Sequence, residues 1–155
     1  MEKEIYKFSV KHEWIDYNGH MNDGEYAKVF SLAVDEWMKQ IGLGADFRNN
    51  EQYTLFTLEM HLNYLKEVKE NEHLTITLQL LDYDLKRAHV FLVTQNVKGD
   101  RVATSEQMLM GMDTKENRPA PFPKPIINEI KQIAISQNQM KKPKEASSII
   151  GIPRK

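Results

Sequence analysis

The hydrophobic period of this chain changes from helical to strand-like near residue 42, and that change limits the folds open to it. Between Asn22 and Gly42 the apolar residues Tyr26, Val29, Phe30, Ala33, Val34, Trp37, Met38 and Ile41 recur at steps of three and four, the spacing of one helical face. Asn22 can cap the first free amides, Glu25 stands where a capping box puts its carboxylate, and Gly42 supplies the stop. Beyond Gly42 the pattern is that of strands. Tyr53 to Tyr64 alternates Phe56, Leu58, Met60, Leu62 and Tyr64 with Thr57, Glu59, His61 and Asn63, so one face calls for a core. His73 to Tyr83 places Leu74, Ile76, Leu78 and Leu80 on one side, and Asp82 to Lys86 turns. Ala88 to Val97 is β-branched and aromatic, ends at the hairpin signal Lys98-Gly99-Asp100, and is followed by a strand from Val102 to Asp113. Connections this short join antiparallel neighbours. With a first strand near Ile5 to Trp14, the order predicts an α+β domain, a five-stranded antiparallel sheet wrapped around one long central helix.

The remainder is shorter and more polar. Arg118 to Pro125 holds four prolines in eight residues, which ends the sheet in a strap. Ile126, Ile127, Ile130, Ile133 and Ala134 then predict a short amphipathic helix. We assign residues 1–138 to the domain and 139–155 to a flexible basic tail, whose residues offer little to offset the entropy of ordering them. Residues 141–155 carry five Lys/Arg against one Glu, or +4, so the net charge of −1 leaves −5 on the first 140. A body of that sign argues against a nucleic-acid partner. No run approaches the roughly 18 to 20 apolar residues that cross a bilayer, so a cytoplasmic location without a membrane partner is expected.

Cysteine is absent, so covalent chemistry must fall to Asp, Glu, Ser or Lys. Histidines 12, 20, 61, 73 and 89 lack the spacing of a local zinc site, and no Walker loop or dinucleotide glycine fingerprint is present. Neither metal nor cofactor is expected. Functional side chains concentrate between the first strand and the helix: Asp16, Asn18, His20 and Asn22 fall within seven residues, at a glycine turn that feeds the positive end of a helix. There, free amides near Asp23 and Gly24 can polarise a carbonyl while Asp16 activates water or attacks directly. The plainer reading is that Asp16 and Asn18 form turns, Asn22 caps and His20 packs.

The element order, together with Asp16-Tyr17-Asn18-Gly19-His20-Met21-Asn22-Asp23 and then Tyr26, resembles the hot dog-fold acyl-CoA thioesterases of the 4-hydroxybenzoyl-CoA thioesterase type. In that family an Asp-x-x-Gly segment, often continued as His-Val-Asn-Asn and a Tyr, opens the central helix. Asp16, Asn18, His20 and Asn22 also fit the Asp-x-Asn-x-His-x-Asn pattern of the acyl-carrier-protein thioesterases. The resemblance spans about residues 5 to 115. It implies Asp16 as catalytic base or nucleophile and the helix start after Asn22 as binder of the thioester carbonyl. Tyr17, Asn18, His20, Asp23 and Gly24 then lie at the substrate, and coenzyme A enters only as part of it. Asp23 departs from the second Asn of many relatives. Sites in this family lie between subunits, which implies a homodimer or a tetramer of dimers.

Thr57 to His61, Tyr64 to Glu67, Asp84 to His89 and Ala103 to Leu109 are similar to a narrower branch, the betainyl-CoA thioesterase-like proteins of carnitine breakdown. This implies a trimethylammonium acyl group and glycine betaine as product. Trp14, Tyr17, Tyr26, Trp37 and Tyr53 are candidate rings for such a cation, with Asp23 or Glu59 as counter-charge, although Tyr26 and Trp37 lie on the apolar stripe. Glu59 and His61 share a strand face as a second functional pair, and Lys86 and Arg87 are candidate contacts for CoA phosphates. Two alternatives stay open: a non-catalytic acyl-CoA-binding or sensing module, and a hot dog hydratase.

Overall fold

In the computed structural model, which describes residues 3–154, the helix α1 (Asp23–Gln40) follows the predicted stripe. The strands are β1 (Lys3–Ser9), β2 (Tyr53–Tyr64), β3 (His73–Tyr83), β4 (Arg87–Asn96) and β5 (Arg101–Asp113). They form one antiparallel sheet in the order β1-β3-β4-β5-β2, which puts β2 on an outer edge. The sheet curls around α1. Tyr26, Val29, Phe30, Ala33, Val34, Trp37 and Met38 are buried on the helix, against Leu74, Ile76, Leu78, Val90, Leu92 and Leu109 of the strands. Each of the larger aliphatic and Phe side chains contributes about 1.5–3 kcal/mol by leaving water.

Several details depart from the expected outline. β1 ends at Ser9, and His12–Trp14 forms a single 3-10 turn instead of more strand. A short helix, α2 (Ala45–Glu51), precedes β2, and the strap opens with a two-residue strand, β6 (Arg118–Pro119), on β5. Pro119 suits that edge because its missing N–H takes nothing from the ladder. The helix α3 (Lys124–Ser136) buries Ile126 and Ile130. After it, Gln137 donates to the Leu78 carbonyl at 3.1 Å and accepts from the Leu80 amide at 2.8 Å, beside a bulge between Leu80 and Asp82.

The single apolar face predicted for β2 does not exist. Its register slips between Thr57 and Glu59, so Leu58 is an extra residue and the side chains change faces there. Tyr53 and Leu55 pack on the core before the slip and Leu62 after it, while Phe56 and Leu58 remain 44 % and 54 % exposed.

The tail expected to be flexible is instead fastened as far as Ser148. Arg101 grips Glu145 with two hydrogen bonds of 2.8 and 3.0 Å, and the Ser147 amide donates to the Glu106 carboxylate at 2.9 Å. Ala146 packs on Phe91 and Val93, apolar residues on the sheet face away from α1. Composition registered only a Lys-rich polar stretch. Its acceptors and donors lie on strands 40 residues and more away in the chain.

Candidate active site

The segment from Ile15 to Met21 is a closed loop. Ile15 and Met21 bridge as a one-residue antiparallel pair, the Asp16 amide donates to His20 O at 3.0 Å, and the Gly19 amide donates to Asp16 O at 3.0 Å. Gly19 turns the corner at φ +78°, a conformation costly for residues with a Cβ. One carboxylate oxygen of Asp16 accepts the Asn18 amide at 2.8 Å, which locks the side chain, and the other has no hydrogen-bond partner among the described residues. The Met21 amide donates to Val68 O at 2.9 Å and the Asn22 amide to Trp14 O at 2.8 Å, tying the loop to the body.

At the start of α1, the Asn22 side chain accepts the Gly24 amide at 3.2 Å and that of Asp23 accepts it at 2.9 Å. The sequence predicts free amides near both Asp23 and Gly24, but the capping carboxamide and carboxylate occupy the second. The Asp23 amide, the first of the helix, donates to no described residue. It therefore carries the exposed positive end of the helix dipole.

The far end of β2 closes the site. Tyr64 donates its hydroxyl to Asp23 O at 3.1 Å, and its ring meets that of Tyr26 edge to face at 5.3 Å. His20 Nε2 lies 3.2 Å from Glu67 Oε2. Asp16, Asp23, His20, Tyr26, Tyr64 and Glu67 line one open cavity of about 500 Å³, with Tyr17 and Asn18 on its rim. Burial, and then the neighbouring Tyr64 and Glu72, push the Tyr26 phenol up to about 12. Burial and the Asp23 charge raise that of Tyr64. Both rings are neutral at physiological pH.

Other predicted site residues lie elsewhere in the chain. Glu59 pairs with Met108 and His61 with Glu106 across the ladder, on the sheet face opposite α1. With His89 they line a separate cavity of about 250 Å³ under Ser147. Lys86 and Arg87 follow β3, whose 11 residues span roughly 35 Å, whereas the Asp16 loop is fastened before the strand begins. Arg87 is already paired with Asp84 at 2.7 Å. Among the candidate rings, Trp37 is in the core, Tyr53 donates to Ala120 O at 2.9 Å, and Trp14 is buried with Lys11 over its face at 5.3 Å. Only Tyr17 and Tyr26 reach the cavity. Tyr64 and Glu67 were not anticipated as site residues, because nothing local to the end of β2 shows that it faces the helix start.

The family model described as the thioesterase-like superfamily matches residues 10–130, from the Asp16 loop into α3. The chain belongs to the thioesterase-like superfamily. The Pseudomonas aeruginosa protein named betainyl-CoA thioesterase is 38 % identical over 149 residues, covering 96 % of this thioesterase and 94 % of that protein. An Agrobacterium fabrum protein named L-carnitine dehydrogenase/betainyl-CoA thioesterase is 40 % identical over 119 residues, 77 % of this chain but 24 % of that longer one. A Staphylococcus aureus protein solved in complex with CoA superposes with a TM-score of 0.92 at 34 % identity, covering 99 % of this chain and 98 % of that one. The expected hot dog-like α+β fold is thus the fold found, and the chain is a thioester hydrolase by family. Among the described residues, no helix is long and apolar enough to cross a membrane, and no three His, Asp or Glu side chains gather in a group that would hold a metal.

Proposed function

We propose that this thioesterase hydrolyses betainyl-CoA to glycine betaine and CoA in the Asp16 cavity. One observation supports the site above all: Asp16 and Asp23 line the same cavity, and among the described residues one Asp16 carboxylate oxygen and the Asp23 amide have no partner. In this reading the thioester carbonyl lies at the Asp23 amide, where the helix dipole stabilises the oxyanion as it forms. Asp16 takes a proton from water whose oxygen adds to the carbonyl carbon. The carbon–sulfur bond then breaks and CoA leaves as its thiolate. As a nucleophile instead, Asp16 would form a mixed anhydride that water opens, and a single turnover in ¹⁸O-water separates the two routes. In the base route the water oxygen ends in glycine betaine; in the nucleophilic route one Asp16 oxygen leaves with the product, and water that opens the anhydride at the Asp16 carbonyl leaves ¹⁸O in the Asp16 carboxylate. The betainyl group is supported by the similarity to the Pseudomonas aeruginosa protein of that name.

The reading includes a second subunit. β2 is an edge strand with Phe56 and Leu58 exposed beside it, and edges of that kind pair with another copy. Pairing β2 antiparallel with its twofold mate would reverse the ends of the sheet. The Asp16 end of one subunit would then meet the other end of its mate, where Lys86 O accepts from Gly111 N. That gives Lys86 and Arg87 a route to CoA phosphates across the interface.

Thiol release from a panel of CoA thioesters, run with the wild type and Asp16→Asn, tests the proposal. Release that depends on Asp16 is the expected result. CoA binding without release across the panel would point instead to an acyl-CoA sensing module. Light scattering showing a monomer would remove the shared site.

A further inference from the structure

Cation balance in the Asp16 cavity is lopsided. The two basic side chains that line it are already matched: Lys66 Nζ lies 2.6 Å from Asp100, and His20 lies 3.2 Å from Glu67. Asp16 and Asp23 have no cationic partner among the described residues. Against these carboxylates stands an aromatic wall. Tyr64 is half exposed while Tyr26, with 5 % exposure, is held beneath it edge to face. An edge-to-face contact with Tyr26 covers at most one of the two faces of the half-exposed Tyr64 ring, and a neutral phenol presents an electron-rich face to a cation. The Tyr64 hydroxyl is spent on the Asp23 backbone carbonyl, which holds the ring at the helix start, near enough for the Asp23 charge to raise the Tyr64 phenol.

We propose that Tyr64 and Asp23 form the subsite that selects a quaternary ammonium acyl head, with Tyr26 as the positioning residue beneath Tyr64. This rests on the hydrolysis at Asp16 proposed above and names the residues that choose its substrate. A trimethylammonium group donates no hydrogen bonds, so an exposed ring face and a nearby carboxylate suit it better than a cage of acceptors would. The uncharged isostere with carbon in place of nitrogen has the same shape and gains neither interaction.

The test compares kcat/KM for betainyl-CoA with that for 3,3-dimethylbutyryl-CoA, its uncharged isostere, in the wild type, Tyr64→Leu, Tyr64→Phe and Asp23→Asn. The wild type should favour the charged substrate. Tyr64→Leu should lower that preference about 2- to 30-fold by removing the ring. Tyr64→Phe keeps the ring and should restore most of it, and Asp23→Asn, which preserves the Gly24 cap, should lower it about 5-fold. The isostere rate in each variant reports whether the protein is folded and the chemistry intact. A wild-type preference that both Tyr64→Leu and Asp23→Asn leave unchanged overturns this subsite while the hydrolysis stands. Equal rates on the two substrates in the wild type overturn it as well, together with the betainyl assignment. Hydrolysis unaffected by Asp16→Asn instead overturns the proposed mechanism.

Discussion

Gly111 sits in β5 where the strand, the strap and Tyr53 converge, and its missing side chain is a requirement of space. A Cβ there would stand 1.8 Å from Tyr53 Oη and 2.9 Å from the Ala120 carbonyl oxygen. Neither neighbour can yield freely. Tyr53 is buried and donates to Ala120 O at 2.9 Å, while the Ala120 amide donates to Gly111 O at 3.0 Å. Gly111→Ala therefore forces the ring away and leaves a buried phenol without its acceptor, a loss of about 1–3 kcal/mol. Overpacking adds about 1–3 kcal/mol. The sum, about 2–6 kcal/mol, corresponds to a fall in Tm of about 5–20 °C for a chain of this size. Calorimetry and urea midpoints measure it. Tyr53→Phe alone should cost about 1 kcal/mol, and adding it to Gly111→Ala should relieve the shortest contact, so the double variant loses less than the two singles together. A Gly111→Ala protein within about 0.5 kcal/mol of wild type, or strict additivity, would refute the reasoning.

Asp16→Asn keeps an oxygen to accept the Asn18 amide, so kcat should fall about 10²- to 10⁴-fold with little change in Tm; near-normal turnover removes Asp16 from the chemistry. Deleting residues 140–155 uncovers Phe91 and Val93 and frees Arg101 from Glu145, and should cost about 2–4 kcal/mol in urea denaturation. An unchanged midpoint would mean that the docked tail adds no stability. The Tyr26 phenol, at about 12 in the folded protein against 10.0 ordinarily, has its folded value raised. Its burial thus contributes stability in full below pH 10, and that contribution drains away as pH rises toward 12. Tyrosinate absorbance should show Tyr26 ionising late and together with base unfolding; ionisation of Tyr26 near pH 10 in an intact fold would contradict its burial.

The hydrolysis proposed here and its shared subunit site depend on residues that differ in how openly the chain displays them. The Asp16 loop is legible because the contacts that form its turns are local: the Asx turn to Asn18, the left-handed Gly19 and the Asn22 cap lie within nine residues. Glu59 and His61 share a strand face, as their spacing implies, but that face lies away from α1 and from the Asp16 cavity. A strand's period tells which residues share a face and not which face meets the helix.

Sequence by itself determined α1, its cap and stop, the consecutive strand segments and the Asp-x-x-Gly-His turn, since these rest on periodicity and bonds spanning a few residues. Tertiary structure alone decided the slip at Leu58, the anchoring of Glu145 on Arg101, the space that Gly111 leaves for Tyr53, and the arrival of Tyr64 beside Asp23. Each of those joins segments distant along the chain or depends on how two strands register. Such contacts are selected by packing and hydrogen-bond partners that exist only once the sheet has curled around the helix.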